Sequence, residues 1–418
     1  MAPSRDNADW KVYARQMLAL NYGLALWQPS PSSRHKQVQI GDVGYIRDGS
    51  FRLLFNAAKP TGAVPEGFVP LQIGTIHHNQ PRSRGLLWTK SIKLLGTGGG
   101  WDFSQAPIPA NAAVFYSFQT TTTEGAALLT RHKTHRSDAE QLGRFQKYIR
   151  KHYKSWLRFA NSQLEYAITV DDLLLVTGCD MTKDYSMLAF TENQQLIGFD
   201  FRLRAGSAMS VGASTWASWE CQFPTFQNWG PQPMNNLDKA ISWLDTPKRT
   251  QCVFVRGYRI RERAKVIPTV IEAGAEPPNP GNDVERRGDS GGLATSANYT
   301  AQHYDPLYPI FEYISKESAA DLAIIHDNDF SELFHIDSNA DAGTLTDVLH
   351  KWRPKIRIED GAGIVHFENV SLLRDLQDSK PKKAANPSSE PQGQPSRPKL
   401  NTSPSSQASV IISGKICI

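Results

Sequence analysis

Four carboxylates stand out among the residues whose types and spacing could do chemistry. Asp327 and Asp329 follow His326 at the end of the apolar run Asp321-Leu-Ala-Ile-Ile325, and strand ends of this kind are where α/β proteins tend to place ligand and metal sites. Two carboxylates one residue apart offer the hard oxygen ligands that Mg²⁺ takes. Asp180 and Asp184 follow a second apolar run, Leu173–Val176, and join the candidate set if both runs share a sheet. Turn chemistry, with a side chain capping a helix at Ser331-Glu-Leu-Phe, is the favoured reading of Asp327 and Asp329. No metal or other cofactor is therefore expected.

Arg287-Gly-Asp-Ser290-Gly-Gly292 has the form that surrounds the nucleophile of chymotrypsin-like proteases. That chemistry needs a His base and a buried Asp around the Ser. His77 and His78 come earlier in the chain, as the order requires, but their neighbours do not fit. The Ser itself lies in a charged, Pro-rich stretch rather than before a buried strand. A Gly-rich linker explains the string better. Gly96-Thr-Gly-Gly-Gly100 could cradle phosphate with backbone N–H groups. It lacks the Lys and the following helix of a phosphate loop, so it reads as a plain loop.

The strongest physical feature is a row of cations. From Ser137 to Ala160 the residues Leu142, Phe145, Ile149, Tyr153, Trp156 and Ala160 recur at helical spacing and predict one buried stripe. Arg144, Lys147, Lys151, Lys154 and Arg158 recur at spacings of three and four on the opposite side. Ser137-x-x-Glu140 has the spacing of a capping box and predicts the helix start. Between residues 131 and 158 there are nine Lys or Arg against two acids, whereas residues 305–350 carry ten acids against Lys316 alone. The net charge of +5 thus conceals blocks of opposite sign, which attract one another or outside partners.

The elements that must position these residues can be read from pattern. Alternation on both sides of Asp48-Gly49, from Val38 to Phe55, predicts a β-hairpin. Strand patterns recur at Phe68–Ile76, Ser91–Leu95 and Ala112–Gln119, then at Ser186–Thr191, Leu196–Leu203 and Gln251–Ile260. Asp305-Pro306 opens a helix, and Thr344-x-x-Asp347 caps another that Pro354 stops. The expected fold is α+β. A large β-rich N-terminal domain, 1–273, carries one long amphipathic basic helix. A flexible linker follows at 274–303, then a small acidic α/β unit at 304–376. The Ser/Pro-rich basic tail, 377–418, has too little apolar material to order itself.

With 418 residues, 40% of them hydrophobic, the chain can build a sizeable core and is neither a wholly disordered chain nor a collagen. No stretch reaches the length of a membrane span. The N-terminal residues lack the apolar core of a signal peptide. Four scattered Cys suggest reduced thiols, so the expected location is intracellular, cytoplasmic or nuclear.

Several segments resemble a family of proteins from mushroom-forming (agaricomycete) fungi. They are Tyr13-Ala-Arg-Gln-Met-Leu, Ile40-Gly-Asp-Val-Gly-Tyr-Ile-Arg-Asp-Gly49, Leu174-Leu-Val-Thr-Gly-Cys-Asp180, Asn228-Trp-Gly-Pro-Gln and Val253-Phe-Val-Arg-Gly-Tyr258. That family carries no established activity or cofactor. Some members are joined to signalling-type nucleotide-binding modules, which implies an interaction or sensing role. The favoured expectation is a non-enzymatic interaction module whose basic helix meets its own acidic C-terminal unit or an acidic protein. The alternatives are a metal-dependent or Ser-dependent enzyme, and a nucleic-acid-binding protein.

Overall fold

The apolar run at Leu173–Val176 forms the centre of the molecule, a strand buried along its whole length. The chain is a computed structural model, described for residues 9–31, 37–79, 85–89, 92–98, 113–120, 124–130, 132–191, 198–204, 219–220, 226–230, 249–263, 305–329, 333 and 345–367. Helix α1 (Asp9–Leu18) leads into the short β1 (Leu24–Ala25) and the pair β2 (Asp42–Arg47) and β3 (Ser50–Asn56). Then come β4 (Ile76–His78), β5 (Gly85–Trp88), β6 (Ile92–Gly98), β7 (Ala113–Thr120), β8 (Glu124–Thr130) and β9 (His135–Ala139). After α2 (Leu142–Arg158) run β10 (Leu174–Thr182), β11 (Tyr185–Thr191), β12 (Gly198–Arg204), β13 (Trp219–Glu220), β14 (Phe226–Gly230) and β15 (Gln251–Glu262). The last described stretch holds α3 (Tyr308–Glu317), β16 (Leu322–His326), α4 (Leu345–Trp352), β17 (Lys355–Glu359) and β18 (Ala362–His366).

The fold is α+β, as the alternating patterns predict. Its main sheet runs β17-β18-β16-β15-β10-β2-β3, with β1 added on β15, β9 on β10 and β4 on β9. Two smaller sheets have the orders β14-β11-β8-β5 and β13-β12-β7-β6. The hairpin at Asp48-Gly49 forms as expected, with φ of 51° and 72° at its two central residues. Positive φ at both positions is what a two-residue turn matching the strand twist demands. Gly96 and Gly98 belong to β6, where the register shifts between Leu94 and Gly96, so this end of the glycine run is strand rather than loop. Of the N-terminal pattern at Phe68–Ile76, only Ile76 enters a strand.

Side-chain alternation explains the layering. Leu173, Leu175, Tyr258, Ile260 and Ile324 point to one face of the main sheet and pack with Phe145, Ile149, Tyr153, Trp156 and Phe159. Leu174, Val176, Val255, Ala323 and Ile325 point to the other, against Ile310, Phe311 and Ile314 of α3 and Val348, Leu349 and Trp352 of α4. The period of two along a strand enforces this division. Phe55 stands edge-on to Trp156 and Phe159 at centroid distances of 5.9 and 5.7 Å. A third cluster joins Tyr13 and Met17 of α1 to Leu128 of β8, Met187 of β11 and Phe254.

Two expectations need correction. Ser137 does not start the basic helix. It sits in β9, opposite Cys179 of β10 and His78 of β4, and its Oγ pairs with His78 Nδ1 at 3.0 Å. The helix begins five residues later at Leu142, and its N-cap residue Gln141 makes no side-chain cap. Gln141 Oε1 accepts the Thr75 N–H instead, at 2.9 Å. Strand pairing satisfies the Ser137 backbone more fully than a cap would, so tertiary structure overrides a local signal.

The second correction concerns the boundary between 1–273 and 304–376. Strand β16 pairs antiparallel with β15 from Tyr258↔His326 to Glu262↔Leu322, and β18 extends the same sheet. Residues up to Asp375 form one compact unit. A Pro/Gly stretch marks a connection, but an apolar strand such as β15 still needs a neighbour on each edge, and β16 supplies one. The linker 274–303, Ser290 within it and the tail from 377 lie outside the described residues. Because α2 and α3 hold opposite faces of one sheet, Phe145→Ala and Phe311→Ala should each cost about 3–5 kcal/mol. Both losses should appear in a single thermal unfolding transition. Two separable transitions, each sensitive to one variant, would contradict a shared core.

Candidate functional site

Strand β15 contains a charge where an apolar residue is expected, in Val253-Phe-Val-Arg256-Gly-Tyr258. Arg256 is 2% exposed. Its Nε donates to Asp138 Oδ1 at 2.5 Å, its Nη1 lies 2.8 Å from Asp180 Oδ1, and Nη1 also donates to the Tyr22 carbonyl at 2.8 Å. Asp138 in turn bridges to Arg136 at 2.5 Å. Two glycines make the room. A Cβ on Gly178 would lie 2.2 Å from Asp138 Oδ1 and 2.8 Å from Arg256 Nε, and one on Gly23 would lie 2.7 Å from Arg256 Cγ. Gly23 also holds φ of 105°, which disfavours any side chain.

His326 and Asp327 close the cluster from β16. A β-bulge between Val176 and Gly178 frees Thr177 from the ladder, and its Oγ1 lies 2.7 Å from His326 Nε2. The Asn328 N–H donates to His326 Nδ1 at 3.0 Å. With Nδ1 accepting, the ring proton sits on Nε2 and is donated to Thr177, so His326 is a neutral imidazole with a defined tautomer. Asp327 Oδ1 accepts the Gly257 N–H at 2.8 Å.

The electrostatics follow from burial among opposite charges. Burial works against the charge of Arg256, but Asp180, Asp138 and Asp327 together outweigh it and hold the guanidinium protonated beyond an ordinary arginine. For Asp138, burial pushes upward, while Arg256 and Arg136 more than offset it and hold the carboxyl below its usual range. Asp327 is raised, because burial exceeds the help it receives from His326, Arg256 and the Gly257 N–H. His326 is lowered, chiefly by burial.

The four proposed carboxylates therefore divide. Asp180 and Asp327 do converge, since β10 and β16 both flank β15, but they converge on Arg256. The guanidinium stands where a cation would have been sought. Asp184, itself buried, pairs with Nδ1 of the half-exposed His132. Asp329 Oδ2 accepts the His326 N–H at 2.9 Å, the turn chemistry favoured above. Among the described residues, no group of three or more His, Cys, Asp and Glu could hold a metal ion. Sequence reasoning missed Arg256, Asp138 and His132. The signal for Arg256 was available, because a charge inside an apolar strand requires buried partners.

The cationic row is placed as expected. Arg144, Lys147, Lys151, Lys154 and Arg158 are all exposed, while Phe145, Ile149, Tyr153 and Trp156 are buried. Among the described residues none of the five forms an ion pair. Their neighbour Arg150 does, reaching Asp360 Oδ2 at 2.6 Å and the Glu359 carbonyl at 3.1 Å. The acids of α3 and α4 lie beyond the opposite face of the sheet, so the row does not dock on that acidic part of its own chain. Glu312 of α3 is already paired with Lys316 at 3.1 Å, and Asp305, just before α3, with Arg259.

Comparison with protein-family models, curated proteins and solved structures finds no match to this chain. Among the described residues no helix is long and apolar enough to cross a membrane.

Arg256→Met should destabilise the chain by about 3–5 kcal/mol at pH 7, because it leaves buried carboxylates without their cation. The deficit should shrink toward pH 5, as those carboxylates take up protons in the folded variant. Equilibrium denaturation at both pH values tests this, and a loss below about 1 kcal/mol at pH 7 would contradict it. His326 gives a second expectation with its own sign. Its folded pKa is lowered, so its contribution is present above about pH 6.5, the ordinary histidine value, and is lost as pH falls below it. The stability of the parent relative to His326→Gln should therefore decline between pH 7 and pH 5. A difference that stays flat or rises would refute the neutral assignment.

Proposed function

We infer that the chain is an interaction module that docks an acidic protein surface on the outer side of α2. The observation that carries this reading is the exposed row Arg144, Lys147, Lys151, Lys154 and Arg158, none of which forms an ion pair among the described residues, on a helix whose inner side is clamped to the main sheet. At 1.5 Å rise per residue the row spans about 21 Å on a rigid axis. Rigid presentation matters because the entropy of ordering the element has already been spent in folding. Charge complementarity then steers association and selects the partner more than it adds raw affinity.

Carboxylate is the favoured counter-charge. The pairing of Arg150 with Asp360 shows α2 meeting a carboxylate of its own chain along a neighbouring line. No exposed aromatic side chain lies on α2, and the described exposed aromatics are Tyr166 and Tyr308. Among the described residues α2 thus presents no stacking platform for single-stranded nucleic acid.

Fluorescence anisotropy with the full chain provides the test. One probe is a labelled helical peptide with Glu at alternating spacings of three and four; the other is a labelled duplex DNA of similar charge. At about 50 mM salt the peptide should bind. Reversal of four positions to Glu (Arg144, Lys147, Lys151 and Lys154) should weaken it by about tenfold or more. Peptide binding indifferent to the reversals would remove the reading. Tighter, reversal-sensitive binding of the duplex would replace it with nucleic-acid recognition.

A further inference from the structure

The outer edge of the main sheet offers a surface distinct from the row on α2. Among the described residues its last strand is β17, Lys355-Ile-Arg-Ile-Glu359, which pairs with β18 on one side only. Asp360 and Gly361 hold φ of 47° and 80°, so a two-residue turn closes this hairpin and Glu359 and Ala362 flank it as a hydrogen-bonded pair. Bonding alternates along an antiparallel ladder. The N–H and C=O groups of Lys355, Arg357 and Glu359 therefore face β18, and those of Ile356 and Ile358 face outward from the sheet. Pro354 precedes the strand and blocks neither.

The side chains make this edge adhesive. Ile356 packs against the core cluster of α3 and α4, while Ile358, on the same face, is 50% exposed. Open backbone groups beside an exposed apolar side chain are a template for another strand. The opposite face carries Arg357 and Glu359, whose side chains meet at 3.0 Å. Arg150 of α2 holds the turn through Asp360 Oδ2 at 2.6 Å and the Glu359 carbonyl at 3.1 Å. The edge is thus ordered before any partner arrives, which lowers the cost of pairing.

We propose that β17 pairs antiparallel with β17 of a second copy of this chain, about a two-fold axis at Ile358. The occupant follows from the order of charges. Arg357 and Glu359 flank Ile358 with opposite signs, so the rotation sets Arg357 of each copy opposite Glu359 of the other. The four charges then alternate around a square, each beside an opposite charge along its own strand and across the axis. On the other face Ile358 meets its own copy, and the two residues exchange both N–H···O=C bonds. Pairing about Arg357 instead would set two guanidinium groups face to face. A two-fold contact closes on itself, so assembly stops at the dimer. A strand pair this short buries less than the roughly 1,200 Å² of a stable interface, so the dimer is weak and concentration-dependent.

Sedimentation equilibrium of the full chain between about 10 and 500 µM tests the proposal. The parent should pass from monomer toward dimer across that range. Ile358→Lys places two ammonium groups at the axis and should leave a monomer with its thermal transition preserved. Glu359→Arg alone should weaken dimerisation about tenfold, and Arg357→Glu combined with Glu359→Arg should restore it to within about twofold of the parent. A parent that stays monomeric throughout, or a dimer indifferent to Ile358→Lys, overturns the interface. A double variant no better than the single one overturns the Ile358 register.

Discussion

A single guanidinium buried between strands is the constraint on which the rest of this fold depends. Arg256 lies in β15 and is held by Asp138 from β9, Asp180 from β10 and the carbonyl of Tyr22, with Asp327 beyond the end of β16 close enough to raise its pKa. Removing a charge from water costs several kcal/mol, and only well-placed counter-charges return it. The strands must therefore keep one register, because sliding β10 by a residue would turn Asp180 to the other face and leave Arg256 buried without it. Gly178 and Gly23 allow the approach, and the bulge at Thr177 turns its hydroxyl toward His326. Such a network contributes little net stability compared with an apolar core, but it penalises every alternative pairing.

This register fixes what the two faces present. Once β10, β15 and β16 are locked side by side, Leu175, Tyr258, Ile260 and Ile324 form a continuous floor, and the aromatic stripe of α2 has one place to lie. Seating that stripe turns Arg144, Lys147, Lys151, Lys154 and Arg158 outward as a single row. The helix gains little from its own sequence, since it has neither a side-chain N-cap nor an acid in its first turn. Packing, not propensity, holds it. At its C-terminal end the backbone widens into a π-turn at Phe159–Gln163. There the Asn161 side chain both accepts from and donates to the Ile168 backbone, at 3.1 and 2.8 Å.

Legibility in the sequence followed the range of the interaction. Elements specified by local periodicity were readable: the hairpin at Asp48-Gly49, the doubly buried strand at Leu174–Val176, and the two stripes of α2. Where two local signals competed, pattern alone chose wrongly, as at Ser137, whose capping-box spacing yields to strand pairing with Cys179 and His78. The Pro/Gly-rich composition of 274–303 is silent about which edge the following strand joins. Partner identity was least legible. Asp180 and Asp327 look like cation ligands in sequence, and nothing local says that the cation is Arg256, 76 residues beyond one and 71 before the other.

Amide hydrogen exchange under native conditions tests most directly whether this charge cluster locks one sheet. The amides of β10, β15 and β16 around Gly178, Gly257 and Ile324 should exchange with one common opening free energy, the largest in the chain. Arg256→Met should lower all three together. If β16 and its flanking helices opened at markedly lower free energy than β10, with only β15 responding to the substitution, the cluster would not be the element that binds the sheet into one unit.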